Sequence, residues 1–227
     1  MSTPQLPLSL RTPPDQRLEA FHGQPGVRDA VAAAARGDSA DWLYLSGPAG
    51  SGKSHLLLAA CAEAGAVGRR AAYLPLAAFA GALADVLPAQ EGADLVCLDG
   101  LDAIAGHRGD EEALFHFHNR ARAGGTVLVY AARGNPAALG LCLPDLATRL
   151  GQCTRFALEA LDDDGRRELL RQRAARRGLQ LDDAVLDYLM RRSERDLASL
   201  TALLDRLDKA SLAAQRRITI PFLRDHL

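Results

Sequence analysis

The sequence holds no run of about 18 consecutive apolar residues, so no membrane-spanning helix is expected. Its opening, MSTPQLPLSL, lacks a basic segment followed by an apolar one, so no secretory signal is expected either. The four cysteines, Cys61, Cys97, Cys142 and Cys153, show no CxxC spacing and sit in apolar surroundings. That argues against a disulfide framework or structural zinc and for buried thiols. There is no excess of one charge: 27 Lys and Arg oppose 28 Asp and Glu, a formal net charge of -1. Strong nonspecific nucleic-acid binding by the whole molecule is therefore disfavoured, though a local basic patch is not. No internal repeat is visible, and no low-complexity segment beyond an alanine bias. A cytoplasmic protein is the simplest expectation. With 227 residues, 48% hydrophobic and 24% charged, the chain can form one large domain or two small ones around a real core.

What is present alternates. Residues 1 to about 20 carry Pro4, Pro7, Pro13 and Pro14 without a helical period, and read as an extended tail. Helical patterns over 27–36, 55–64, 79–87 and from Asp110 through Ala121 are interleaved with short apolar runs at 41–45, 70–75, 95–98, 126–130 and 154–158. Five such strands, apolar on both faces, predict a parallel sheet covered on both sides. From Asp162 on the pattern becomes helical, with segments 162–177, 182–192 and 195–215 and one β-branched run, Ile218-Thr219-Ile220. The expected division is a tail over 1–20, an α/β core over 21–160 and a small α-helical unit over 161–227.

Between the first strand and the second helix lies GPAGSGKS, a complete G-x-x-x-x-G-K-[ST]: Gly47, Pro48, Ala49, Gly50, Ser51, Gly52, Lys53 and Ser54, followed by His55. Glycines let the backbone wind so that several N–H groups face one anionic cavity, and the following helix adds its positive end. Lys53 is expected to reach the β- and γ-phosphates, and the Ser54 hydroxyl to bind Mg²⁺. The third strand ends in Asp99, the expected second contact of the metal. The next residue is Gly100, where hydrolytic relatives commonly place a second acid. Asp102 either stands in for it, if a loop brings it round, or is a loop or capping carboxylate, the reading we favour. The site is thus built to hold ADP or ATP with Mg²⁺, and intrinsic hydrolysis is expected to be weak or absent.

Phosphate loop, acidic strand end, five-stranded core and helical lid together resemble the AAA+ ATPases. LPDLATRL (143–150), RDLASL (195–200) and the ending AQRRITIPFLRDHL resemble the DnaA-related AAA+ family. Within it, the absence of a following helix-turn-helix segment and the N-terminal QLPLSL are similar to the regulatory-inactivator branch. The resemblance implies an AAA+ fold with a helical lid. It makes Arg149 the arginine finger, which acts in trans, although a local salt bridge to Asp145 is the alternative. Arg195 becomes the lid's sensor arginine, and Phe21, His22 and Gly23 the start of the core near the adenine, unless they form a hydrophobic staple. It makes QLPLSL a peptide for the DNA polymerase III sliding clamp (beta subunit), with Gln5 orienting it and Leu6, Leu8 and Leu10 filling pockets. Arg133 falls where the family's small polar sensor is expected, and Asn135 is not assigned that role.

The implied function is negative regulation of replication initiation. The protein would be tethered to the DNA-loaded clamp and would stimulate hydrolysis of ATP bound to DnaA. A homodimer is compatible with this, DNA is met mainly through the clamp, and no membrane is involved. The alternatives are a stand-alone ATPase or helicase loader in a homo-oligomeric ring, and a binding module that never stimulates DnaA. His116 and His118 alternate at period two on a helix and make a poor metal site. The arginines of 166–177 face either a partner or solvent.

Overall fold

The structure, a computed structural model of the chain, describes residues 17–21, 23–192, 203–204, 206–208, 210 and 218–226. Five strands form one sheet: β1 (Leu43–Ser46), β2 (Ala71–Pro75), β3 (Leu95–Asp99), β4 (Val127–Ala132) and β5 (Thr154–Ala157). Their spatial order is β2-β3-β4-β1-β5, and every pairing is parallel. Parallel strands need crossover helices, and these cover both faces.

The period-two alternation of side chains divides the core into two layers. Leu43, Leu45, Cys97, Val129 and Ala131 face α1 (Pro25–Arg36) and α2 (Lys53–Ala66), meeting Val31, Leu56, Leu57 and Ala60. Tyr44, Val96, Leu98, Leu128 and Tyr130 face the other side, with Leu114 and Phe117 of α4 (Arg108–Gly124) and Leu146 and Leu150 of α5 (Pro144–Gly151). Each fully buried leucine contributes about 1.5–3 kcal/mol by removal from water. β4 is buried along its whole length, whereas β5, at the sheet edge, is largely exposed. The expectation of strands apolar on both faces therefore fails at β5.

The predicted helix over 79–87 is broken. A 3-10 turn covers Leu76–Ala78, a single helical turn α3 covers Leu83–Val86, and a second 3-10 turn covers Leu87–Gln90. Gly81 sits at φ 85° between the first two, and Pro88 supplies no N–H to the third. The acidic start of α4 does more than suit the helix dipole. Asp110 and Glu111 are buried. Asp110 accepts hydrogen bonds from the backbone N–H of Gly81 (2.6 Å) and Leu83 (3.2 Å). Glu111 accepts from Gly106 (2.7 Å), Cys142 (3.0 Å) and Leu143 (2.7 Å), tying the start of α5 to the loop after β3.

After β5 the chain becomes helical. Asp162 caps α6 (Asp163–Arg176) by accepting from Gly165 N–H at 2.7 Å. α7 (Asp183–Arg192) and a C-terminal helix (Ile220–His226) enclose Val185, Leu189, Leu207, Phe222 and Leu223. The run Ile218-Thr219-Ile220 leads into this C-terminal helix. Three arginines of α6 are paired: Arg166 with Asp163, Arg167 with Asp187, and Arg171 with Glu168 and Asp183. Among the described residues no helix is long and apolar enough to cross a membrane.

Candidate functional site

β1 delivers the chain into Gly47–Ser54 at its carboxyl end, and α2 begins at Lys53. Two glycines of this loop are sterically required. A Cβ on Gly47 would lie 2.3 Å from the Leu158 carbonyl oxygen, and one on Gly52 (φ 92°) 2.8 Å from the Phe21 ring. Lys53 Nζ donates to the carbonyls of Gly47 and Pro48, both at 2.7 Å, and to Ser51 Oγ at 3.1 Å. The ammonium is therefore held over the loop mouth. Burial lowers its pKa, while Asp99 and Asp102 favour the charged form and Arg133 opposes it. All four groups thus bear on one small volume at the carboxyl ends of β1, β3 and β4.

Asp99 ends β3, and its Oδ2 accepts from the Tyr73 hydroxyl at 2.7 Å. The Ser54 side chain also acts on this phenol, lowering its pKa, so Ser54 and Asp99 both bear on one hydroxyl. Burial, then the Asp99 carboxylate, raises the Tyr73 pKa and keeps it a donor. A serine hydroxyl beside a carboxylate is a hard-oxygen donor set of the kind that suits Mg²⁺ shared with phosphates. Sequence reasoning missed Tyr73, because only the β2–β3 register, Tyr73 opposite Cys97, places it beside Asp99.

Asp102 serves the backbone. Both its oxygens accept from Arg133 N–H, at 3.0 and 2.9 Å. Arg133 itself is exposed at the end of β4, and the Asn135 side chain caps the next turn through Ala138 N–H at 3.0 Å. Gly100, at φ 80°, makes the tight turn between β3 and Asp102.

Beside the loop, Phe21, Gly52 and His55 form a small pocket with Leu161, Leu169 and Arg173 of the lid segment. Phe21 stacks on His55 with ring centroids 6.3 Å apart, and His55 Nε2 is bonded to the Arg17 carbonyl at 3.0 Å. An apolar wall with an aromatic ring beside a phosphate loop suits a purine. The three lid residues carried no recognisable sequence signal for this role.

Arg149 stands elsewhere. It lies near the end of α5, just before β5, and so at the amino ends of the strands. The four residues of β1 alone separate that edge from the phosphate loop by roughly 13 Å. Among the described residues no ion pair joins Arg149 to Asp145. Arg149 instead borders a cavity of about 310 Å³ with Trp42, His118, Arg122 and Gln152. Arg195 and Gln5, Leu6, Leu8 and Leu10 lie outside the described residues, as does His22. His116 is exposed and His118 buried, and no cluster of metal-ligating side chains occurs among the described residues.

Comparison with known proteins adds four observations. Residues 163–227 match the family model described as Hda, lid domain. The replication initiator DnaA bound to AMPPCP and single-stranded DNA is 23% identical, with a TM-score of 0.71 over 85% of this chain. The chain spans 64% of that protein's length. Domain III of the Thermotoga maritima replication initiation protein DnaA is 21% identical, with a TM-score of 0.75 over 94% of this chain and 97% of that one. The T. maritima RuvB Holliday junction branch migration motor is 19% identical, with a TM-score of 0.65 over 92% and 70%. These likenesses establish the AAA+ fold, a five-stranded parallel sheet followed by a helical lid.

Proposed function

We propose that this chain, which has a DnaA-like AAA+ fold and whose residues 163–227 match the Hda lid domain, is a negative regulator of replication initiation. It binds ADP or ATP in its own loop, docks on ATP-bound DnaA and presents Arg149 to that ATP. The observation that supports this reading is the position of Arg149. It sits at the opposite sheet edge from Gly47–Ser54, where it cannot serve the chain's own nucleotide. A guanidinium supplied across an interface neutralises charge on the transferring phosphoryl group, an effect of about 10³–10⁵ in rate.

In the chain's own site, the loop N–H groups and Lys53 hold the phosphates. Ser54 and Asp99 would hold Mg²⁺, which would offset the charge of the phosphates. Gly100 and the backbone-bound Asp102 leave no free carboxylate at the position that polarises water, in keeping with weak intrinsic turnover. Arg195 reports lid position to the nucleotide. Gln5, Leu6, Leu8 and Leu10 tether the protein to the loaded sliding clamp, raising its effective concentration at DnaA. A homodimer and a cytoplasmic location fit this role.

The test is turnover of DnaA-bound ATP with loaded clamp present. Arg149→Ala abolishes stimulation while clamp and nucleotide binding persist. Unchanged stimulation sinks the finger assignment. Robust ATP turnover by the isolated chain would instead favour a stand-alone ATPase or helicase loader.

A further inference from the structure

The cavity at the amino ends of β1, β4 and β5 has chemistry that a single arginine finger does not require. Its walls come from three separate segments: Trp42 before β1, His118 and Arg122 on α4, and Arg149 and Gln152 at the end of α5. The Arg122 guanidinium carbon lies 5.7 Å from the Trp42 ring centroid. A guanidinium over an aromatic face keeps its in-plane N–H groups free and loses less rotamer freedom when it binds. Among the described residues no carboxylate pairs with Arg122 or Arg149, and Asp41 is the one carboxylate among the lining side chains.

His118 adds a third donor. It is 1% exposed and packs edge-on to Trp42, with ring centroids 4.4 Å apart. Its Nδ1 lies 2.9 Å from the hydroxyl of fully buried Tyr130. Burial raises the Tyr130 pKa well above its ordinary value, so the phenol keeps its proton. Among the described residues Nδ1 is the phenol's hydrogen-bond partner. With the phenol donating, the imidazole proton lies on Nε2, which has no hydrogen-bond partner among the described residues. Burial, then Arg149 and Arg122, holds His118 neutral by lowering its pKa to about 4. An unpaired buried donor is costly, and an acceptor oxygen would relieve it.

We propose that this cavity binds the phosphoryl groups of a polyphosphate, gripped between Arg122 on α4 and Arg149 on α5 and met by His118 Nε2–H. Guanidinium forks on two walls and a third donor suit a tetrahedral group with three acceptor oxygens better than a planar carboxylate with two. Insofar as the phosphates belong to a nucleotide held by another protein, the proposal rests on the reading of Arg149 above and makes Arg122 a second guanidinium for that reaction.

Trp42 is the only tryptophan in the sequence, so its emission reports on this wall alone. The full chain is titrated with inorganic tripolyphosphate. The expected result is a saturable change in Trp42 emission that survives Lys53→Ala. Affinity falls at least about tenfold in Arg122→Ala and in Arg149→Ala, and is partly recovered in Arg122→Lys. No change in emission, or a change lost with Lys53→Ala and unmoved by Arg122→Ala, overturns the site. A second arm measures turnover of DnaA-bound ATP. Stimulation reduced about tenfold or more by Arg122→Ala identifies the partner's nucleotide as the phosphate source. Intact stimulation alongside lost tripolyphosphate binding overturns that source and leaves a site for free phosphoryl anions. Loss of stimulation in Arg149→Ala without tripolyphosphate binding overturns the cavity proposal while the proposed function stands.

Discussion

Glu111→Gln is a near-isosteric change with a large expected effect. The carboxylate is fully buried and accepts three backbone N–H groups, Gly106 and Cys142 on Oε1 and Leu143 on Oε2. A carboxamide has one acceptor oxygen. Its best placement keeps Gly106 and Cys142 and turns its NH₂ against Leu143 N–H, donor to donor. One hydrogen bond to a charged acceptor, worth about 1.5–3 kcal/mol, is lost, and the orphaned donor adds to the cost. We expect a loss of about 2–4 kcal/mol, a large share of a typical domain's stability. Urea unfolding followed by Trp42 emission and by circular dichroism measures it. Glu112→Gln is the control, since exposed Glu112 pairs only with Arg108 at 2.8 Å and should change stability by under about 0.5 kcal/mol. Because Leu143 caps α5, Glu111→Gln should also weaken Arg149-dependent stimulation more than nucleotide affinity. Equal unfolding midpoints for Glu111→Gln and Glu112→Gln refute the reasoning.

Two more outcomes follow from the geometry. His118, lowered from 6.5 to about 4 in the fold, binds a proton more readily when unfolded, so its contribution is complete above about pH 6.5 and is lost as pH falls toward 4. The difference approaches about 3 kcal/mol, and His118→Gln should flatten the stability profile across that window; parallel profiles count against it. Gly47→Ala forces a Cβ onto the Leu158 carbonyl and should weaken nucleotide binding about 10- to 100-fold by calorimetry, whereas Gly109→Ala, with open space around it, should leave it unchanged.

How much of this was legible depended on sequence distance. The phosphate loop read directly, since strand, glycines, lysine and helix are contiguous and each residue type has a chemical reason. The order of strands toward Asp99 was legible for the same reason, as short apolar runs alternated with helices. The segment 76–90 was not, because Gly81 and Pro88 break a pattern whose apolar spacing alone suggests one helix. Ile218 and Ile220, a β-branched run in a helical unit, pack against Leu207 and Phe222. Asp110 and Glu111 looked like helix-start acids, and four of their partners, 27 to 32 positions away, appear only in the fold. The cavity bordered by Arg149 needed three distant segments brought together, which no local spacing encodes.

The closeness of Gly47 to Leu158 has a mechanical consequence. Leu158 directly follows β5, its N–H is bonded to Ser46 carbonyl at 2.7 Å, and its own carbonyl fills the space where a Gly47 side chain would stand. Three residues later Leu161 borders the pocket beside the phosphate loop, and the lid helices begin. The width of the loop is therefore set against the residue that leads into the lid. A displacement of the backbone at Gly47 would meet the Leu158 carbonyl before any side chain.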